Sequence, residues 1–385
     1  MVEYSQNLNN WIEISESNYA HNISFFQKLI EDNVELSVMI KSNAYGHGWQ
    51  LIASLASKCK INTFCVYSLD EALNLLNAGF RQDILIMGHV PLSRLEEAVR
   101  TDCHLALFNK ESLIKLIDIT QRLKKPVIVH LKLETGFHRQ GVTENDLQWF
   151  ISKLKRTPLV VLDAAYTHLA SVDDTNNYDY AYYQKNRFEQ MINTIINEGF
   201  PKLKKHIANS AATILLNETR YDMVRLGISQ FGLWPSRETF ISYKNHFLGN
   251  KGDLFPVMTW KTRIAQIKWV QPGHYIGYDC TYRTTRGSRI AVLPVGYAEG
   301  YDRGLSNNGY VLIKGKKAFV CGQICMNLTM VDVSDIPDVQ LEDEVVLLGK
   351  QGDEEISADN LANLLGTINY EVVTRINSEI DRIIV

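Results

Sequence analysis

Eight short apolar runs punctuate the first 230 residues: VELSVMI (34–40), NTFCVYSL (62–69), DILIMG (83–88), HLALF (104–108), PVIVHLKL (126–133), LVVLDAAYTHL (159–169), KHIANS (205–210) and MVRLGIS (223–229). Between them lie segments such as SLDEALNLLNAG and NKESLIKLIDITQRLKK. In these, apolar residues recur at i, i+3 and i+4 behind a polar start, the pattern of an amphipathic helix with an N-cap. A strand that is apolar along its length is covered on both faces. Eight such strands alternating with helices predict an α/β fold, a (β/α)8 TIM-like barrel. An open doubly wound sheet would need a Gly-rich turn after the first strand, and none is present.

Beyond residue 240 the helical period gives way to alternating strands in TWKTRIAQIKWV, SRIAVLPVGYA, YVLIKG, AFVCGQI, MVDVSD and EVVLLG, separated by QPG, NNG and KGK turns. ISADNLANLLG then reads as one helix capped by Ser357. The chain thus divides into a barrel domain, residues 1–240, and a mostly β domain, residues 241–385. Residues 1–12 precede the barrel pattern and are candidates to pack with the second domain.

Composition excludes several classes. A formal charge of −3 over 385 residues gives no basic surface for nucleic acid or anionic membrane. No run is long and apolar enough to span a bilayer, and the N-terminus lacks the cationic and apolar pattern of a signal peptide. The six cysteines are scattered and several sit in apolar runs. That favours buried free thiols over disulfides or a metal site, and a cytoplasmic protein.

Polar residues fall where barrel strands end, which is where functional groups of such barrels sit. Lys41 follows VELSVMI and opens KSNAYGHG. Partial burial there lowers an amine's pKa and frees it to attack a carbonyl or act as a base. Taken alone, a lysine snorkelling from the barrel mouth is the commoner case. Further strand ends supply Lys132, Glu134 and Arg139 (LKLETGFHR), His168 (AYTHLAS), Ser210 (HIANSAA), and Arg225, Gly227 and Ile228 (MVRLGIS). Individually, His168 reads as a core histidine and Arg225 as a structural ion pair. Together at the ends of one barrel's strands they point to a site.

The motifs IKSNAYGHG, LKLETGFHRQGV, YTHLAS, NSAAT, MVRLGIS, GYDCTY, LPVGYAEGYDR, CGQICMN and NYEVVTRI, in this order from Lys41 to Tyr370, resemble those of the alanine racemase family, fold-type III pyridoxal-phosphate enzymes. The resemblance covers nearly the whole chain. It implies an amino-acid racemase that interconverts L- and D-alanine with two catalytic bases. Lys41 resembles the lysine that carries the cofactor covalently and then serves one face of the α-carbon. Tyr278 resembles the opposed base, supplied by the second domain of a partner subunit. Two bases suit racemisation, because one base tends to return a proton to the face it came from.

Arg225 resembles the partner of the pyridine nitrogen; an arginine stays protonated and cannot leave a full proton on that nitrogen. The phosphate is assigned to Tyr45, Ser210, the amides of Gly227 and Ile228, and Tyr370. His168 resembles the residue packed against the ring, and Arg139 with the Met326 amide the contacts to the substrate carboxylate. Lys132 matches a lysine that some members carry as a carbamate, and Tyr297 a residue of the substrate entrance. The resemblance implies a homodimer with composite sites, no metal, and D-alanine supply as the role. Three positions depart from the family pattern: Asn327 stands where aspartate is frequent, His138 where glycine is, and Glu134 where the family reads DTG.

Three rivals remain. A racemase for serine, or one of broader specificity, is the nearest; Tyr370 beside the substrate side chain and the lack of a membrane domain favour alanine. A decarboxylase on a related fold would carry an acidic residue at the pyridine nitrogen and a GGG-type phosphate loop. A non-catalytic cofactor carrier would lack the second domain and Tyr278.

Overall fold

The computed structural model describes residues 8–246 and 252–385. The chain forms two compact units, one comprising Ala20–Ser42 and Ile52–Leu254, the other the chain up to Tyr19, Asn43–Leu51 and Phe255–Val385. Residues 1–7, part of the segment expected to pack with the second domain, lie outside the described residues.

In the first unit the eight predicted runs become strands β2 (Glu35–Met39), β3 (Thr63–Val66), β4 (Asp83–Ile86), β5 (His104–Leu107), β6 (Val127–Lys132), β7 (Val160–Tyr166), β8 (Lys204–His206) and β9 (Met223–Leu226), numbered after β1 (Asn10–Ile14). They form one parallel sheet in the order β8-β7-β6-β5-β4-β3-β2-β9, in which β2 pairs with both β3 and β9. The remaining seam is bridged by Asp222 N–H to Lys205 O (3.1 Å) and Arg225 N–H to Ala208 O (3.0 Å), so the sheet is a nearly closed barrel.

The runs are continuous because their residues are covered on both faces. All four residues of β3 are buried, as are the last four of β2. Fully burying one Leu, Ile or Val contributes about 1.5–3 kcal/mol, and polar alternation would halve the number of such residues in a strand. The helices cover the outside with one face. Leu69–Asn77 buries Leu69, Ala72 and Leu75, and starts at a capping box between Ser68 and Glu71. Lys110–Leu123 buries Leu113, Leu116 and Ile119.

The second unit is a mostly β fold. Its large sheet runs β11 (Gln266–Val270), β14 (Ser288–Leu293), β17 (Thr329–Asp332), β16 (Lys316–Val320), β15 (Tyr310–Ile313), β18 (Glu344–Gln351), β10 (Met258–Arg263), β1 and β20 (Asp381–Ile384), with β19 (Glu354–Ile356) beside β18. A separate two-stranded ribbon, β12 (Tyr275–Ile276) with β13 (Tyr282–Arg283), packs Ile276 against Ile290 of β14. The first strand β1 pairs antiparallel with β10 and parallel with β20. The helix Ala358–Leu365 starts at Ser357, whose side chain accepts the Asn360 N–H in a capping box.

All six cysteines are free, but the expectation of burial fails for Cys280, which is exposed in the Tyr278–Cys280 turn. Cys65, Cys103 and Cys321 are buried, and Cys59 and Cys325 are half-buried.

Candidate active site

Lys41 follows β2 directly and begins a turn that sequence reasoning treated as an ordinary strand end. Ser42, Asn43, Ala44 and Tyr45 have φ of 54°, 54°, 51° and 53°, a left-handed helical turn without glycine. Such backbone costs about 1–2 kcal/mol per residue and persists only where the surroundings over-determine it. Within the barrel unit the Glu71 carboxylate accepts the backbone N–H of Ser42 (2.7 Å) while also holding those of Tyr67 (2.7 Å) and Ser68 (3.1 Å). One carboxylate thus caps a helix and pins the residue after Lys41. The S-x-x-E spacing at Ser68 signals the cap; nothing in it signals the contact to Ser42.

The half-buried Lys41 amine is held below its usual range, first by burial and then by the Arg139 guanidinium, with Glu71 opposing. Its surroundings are cationic. Lys132 is lowered to about 8 by burial, then by Arg139 and Arg225, and its Nζ donates to Gln140 Oε1 (3.2 Å). His168 follows β7 and is lowered to about 3, first by burial and then by Arg225, Arg139, Lys132 and Lys41. Five residues singled out from the sequence therefore converge on one electropositive barrel mouth.

The exposed Arg139 lies over the Phe137 ring (4.1 Å), which in turn meets the His168 ring at 5.4 Å. His138, where the family often has glycine, has φ +56°, the conformation glycine adopts without a Cβ penalty. Glu134 accepts the Gly136 N–H (2.6 Å) and so closes its own turn.

Arg225 is buried in β9. Nη1 donates to His206 Nδ1 (2.7 Å) and His206 O (2.8 Å), and Nη2 to Thr167 O (2.9 Å) and Ile207 O (3.2 Å). The structural ion pair expected of Arg225 taken alone is not seen: among the described residues no carboxylate pairs with it. Ser210 opens a short helix capped by Asn209, and its hydroxyl accepts the N–H of Gly227 (2.9 Å) and, more weakly, of Ser229 (3.5 Å). The Ser229 hydroxyl is buried and finds no partner among the described residues. Gln230, missed in the sequence, donates to Met39 O (3.0 Å), Leu226 O (3.1 Å) and Gly227 O (3.1 Å), tying the end of β2 to the end of β9.

The second unit carries the other candidates. Tyr45 and Tyr370 are half-buried with ring centroids 6.1 Å apart. Trp49 N–H donates to the Asn43 side chain (2.9 Å), and Arg382 donates to Gly46 O (3.0 and 3.3 Å). Gly46 has φ +81°, and a Cβ there would sit 2.0 Å from Val373 O, so the turn requires glycine. His47 is buried and lowered to about 3, chiefly by that burial; its Nδ1 faces Tyr45 O at 3.0 Å and, since a carbonyl only accepts, carries the proton.

Tyr278 lies on the Tyr278–Cys280 turn beyond β12, 67% exposed. The turn continues left-handed through Asp279 and Cys280, and Asp279 meets Arg303 at 3.7 Å. Met326 is 58% exposed. Its carbonyl accepts the Ala298 N–H (2.9 Å), and Cys325 O accepts that of Tyr297 (3.1 Å), so the VGYAEG and ICMN loops run together. The departure at Asn327 has a partner here: its Nδ2 donates to Glu299 Oε1 (2.7 Å), while Glu299 Oε2 accepts the Gly296 N–H (2.8 Å). An aspartate at 327 would instead face that carboxylate.

An electropositive barrel mouth with a suppressed lysine defines a barrel enzyme whose site suits an anionic carbonyl compound. The comparisons agree. The chain matches the model "Alanine racemase, N-terminal domain" over residues 14–235 and "Alanine racemase, C-terminal domain" over residues 257–384. It is 38% identical over 377 residues to the alanine racemase of Leptospira interrogans serogroup Icterohaemorrhagiae serovar copenhageni, covering 97% of this chain and 95% of that one. It is 37% identical to that of Halothermothrix orenii, covering 97% and 96%. Among solved structures it is similar to alanine racemase from Clostridium difficile 630 (TM-score 0.91, 33% identity, 98% and 96% covered). It is also similar to the Bacillus anthracis enzyme with bound L-Ala-P (TM-score 0.89, 33% identity, 98% and 95% covered). The chain belongs to the alanine racemase family. No helix among the described residues is long and apolar enough to cross a membrane.

Proposed function

We propose that this protein interconverts L- and D-alanine with pyridoxal 5'-phosphate, Lys41 and Tyr278 acting as bases on opposite faces of the α-carbon. The observation that carries the reading is the Lys41 amine directly after β2, where burial and then the Arg139 guanidinium favour the neutral nucleophile, at a barrel mouth that also carries Lys132, Arg225 and His168. The same cations favour a dianionic phosphate and a substrate carboxylate. The buried Ser229 hydroxyl, without a partner among the described residues, and the Ser210 hydroxyl beside the Gly227 amide fit a phosphate group.

When bound, pyridoxal phosphate supplies a reactive carbonyl and an electron-withdrawing ring. Lys41 would hold it covalently. Ser210, the amides of Gly227 and Ile228, and the phenols of Tyr45 and Tyr370 take the phosphate. Arg225 would stand at the ring nitrogen, and His168 would pack against the ring. Arg139 and the Met326 amide orient the substrate carboxylate. Lys41 takes or returns a proton on one face and Tyr278 does so on the other. Tyr297 lines the entrance.

In this reading residues 1–240 bind the cofactor, and residues 241–385 contribute Tyr278 and Met326 to the site of a partner subunit in a cytoplasmic homodimer. The test is the absorbance spectrum of the purified protein, followed by racemisation of L-alanine, L-serine and L-lysine. A coloured protein that turns over L-alanine fastest is expected. A colourless protein, or serine as the best substrate, overturns the assignment or its specificity.

A further inference from the structure

The hydrogen bonds of Arg225 continue away from the site. His206 Nδ1 faces the guanidinium at 2.7 Å, His206 Nε2 faces His130 Nδ1 at 3.1 Å, and His130 Nε2 faces His104 Nδ1 at 3.2 Å. These imidazoles come from the last residue of β8, the middle of β6 and the first residue of β5, so the chain descends from the strand ends toward the half-exposed His104. His206 is held flat by the Tyr166 ring, 4.7 Å away and inclined by only 7°.

The direction of every bond follows from one end. A guanidinium N–H only donates, so His206 Nδ1 is the acceptor and a neutral His206 carries its proton on Nε2. That proton points at His130 Nδ1, which puts the His130 proton on Nε2, facing His104 Nδ1. Burial disfavours a second proton on any ring: His130 and His206 are held well below 6.5 and His104 is lowered too, despite Glu35, Asp83 and Asp163, which pull it up against Lys204. Asp163 also lies 3.9 Å from His130 Nε2 and 3.3 Å from Lys204 Nζ.

The arrangement answers a cost. The N–H groups of the two Arg225 terminal nitrogens go to neutral acceptors. A buried cation needs compensation, and aligned dipoles can provide it without an anion. The negative end of each imidazole points toward Arg225, so the guanidinium is stabilised while its positive field outward is left intact.

We propose that His206, His130 and His104 are positioning residues for Arg225, a one-way imidazole relay that holds its guanidinium without a counter-anion. The proposal rests on the reading of Arg225 as the partner of the ring nitrogen, and its test separates the two.

Two-bond 1H–15N spectra of cofactor-free, 15N-histidine-labelled protein, assigned with single His→Gln variants, report each tautomer at neutral pH. Pyridine-like Nδ1 and pyrrole-like Nε2 at all three rings are expected; a proton on His206 Nδ1, or two protons on any of them, overturns the relay. His130→Leu removes the acceptor for His206, whereas His130→Gln can still accept and donate. Pyridoxal phosphate titrated into the stripped protein should bind about tenfold more weakly to His130→Leu, the factor for losing one hydrogen bond behind a charged group, and recover in His130→Gln. The pH midpoint of the bound cofactor's visible absorbance should shift and recover in parallel. Unchanged affinity and midpoint in His130→Leu overturn the proposal. If that variant does not fold, His104→Leu at the half-exposed end is read the same way. A wild-type protein that binds no pyridoxal phosphate sinks the functional reading and leaves the tautomer result standing.

Discussion

The hydroxyl of Ser210 accepts the backbone N–H of Gly227 at 2.9 Å, joining the first residue of the helix after β8 to the loop after β9, 17 residues away. The two loops assigned to the phosphate therefore hold each other before any ligand arrives. A preformed cradle loses little entropy on binding.

Ser210→Ala removes that acceptor and one phosphate donor together. Pyridoxal phosphate should bind about tenfold more weakly, as for loss of one charge-assisted bond, while the turnover of the saturated enzyme changes little. Equilibrium titration of the stripped protein checks this. An unchanged affinity would remove Ser210 from the phosphate site.

Tyr278→Phe should keep the colour of the bound cofactor and lose about 10²–10⁴-fold in racemisation, the usual range for removing a general acid or base. Exchange of the α-proton of one alanine enantiomer with deuterated solvent should survive through Lys41, while the other enantiomer loses it. Normal racemisation in both directions would show that a second base other than Tyr278 operates.

Gly46→Ala tests the left-handed turn. The added Cβ would lie 2.0 Å from Val373 O at φ +81°, contact with backbone that cannot swing aside. A loss of at least about 1–3 kcal/mol, the range of large single-site effects, is expected in denaturant unfolding. A variant as stable as wild type would mean that the turn relaxes freely.

Stability should fall on the acid side. His130 and His206 are neutral when folded, with pKa values held well below 6.5, whereas unfolded histidine titrates near that value. Between the two the unfolded chain binds more protons, so acid favours unfolding. The stabilisation is full above about pH 6.5 and is lost as pH falls, by about 1.4 kcal/mol per pH unit for each histidine. His130→Gln should flatten this slope by one proton, measured as unfolding midpoints across the acid range. An identical slope would show that His130 is already charged in the fold.

Lys132, lowered to about 8 by burial and then by Arg139 and Arg225, presents more neutral amine near neutral pH than an ordinary lysine. It should take up carbon dioxide as a carbamate, whose negative charge would meet those two arginines. A new carbonyl signal on adding labelled bicarbonate, absent in Lys132→Gln, is expected; no difference between the two proteins would exclude the modification.

The sequence by itself determined the architecture. The eight apolar runs became the eight parallel strands, and the Ser68 and Ser357 starts became capped helices, because burial period and capping are local properties of a few consecutive residues. It also named the polar strand ends from Lys41 to Arg225, since a barrel delivers every strand end to one face. Closure decided the rest. The left-handed Ser42–Tyr45 turn contains no glycine to announce it, and Glu71 reaches Ser42 only once two strands are side by side. The pairing of Asn327 with Glu299 and the line from His104 to Arg225 join residues distant in the chain. Such contacts depend on register and packing between elements, which no single stretch of sequence encodes.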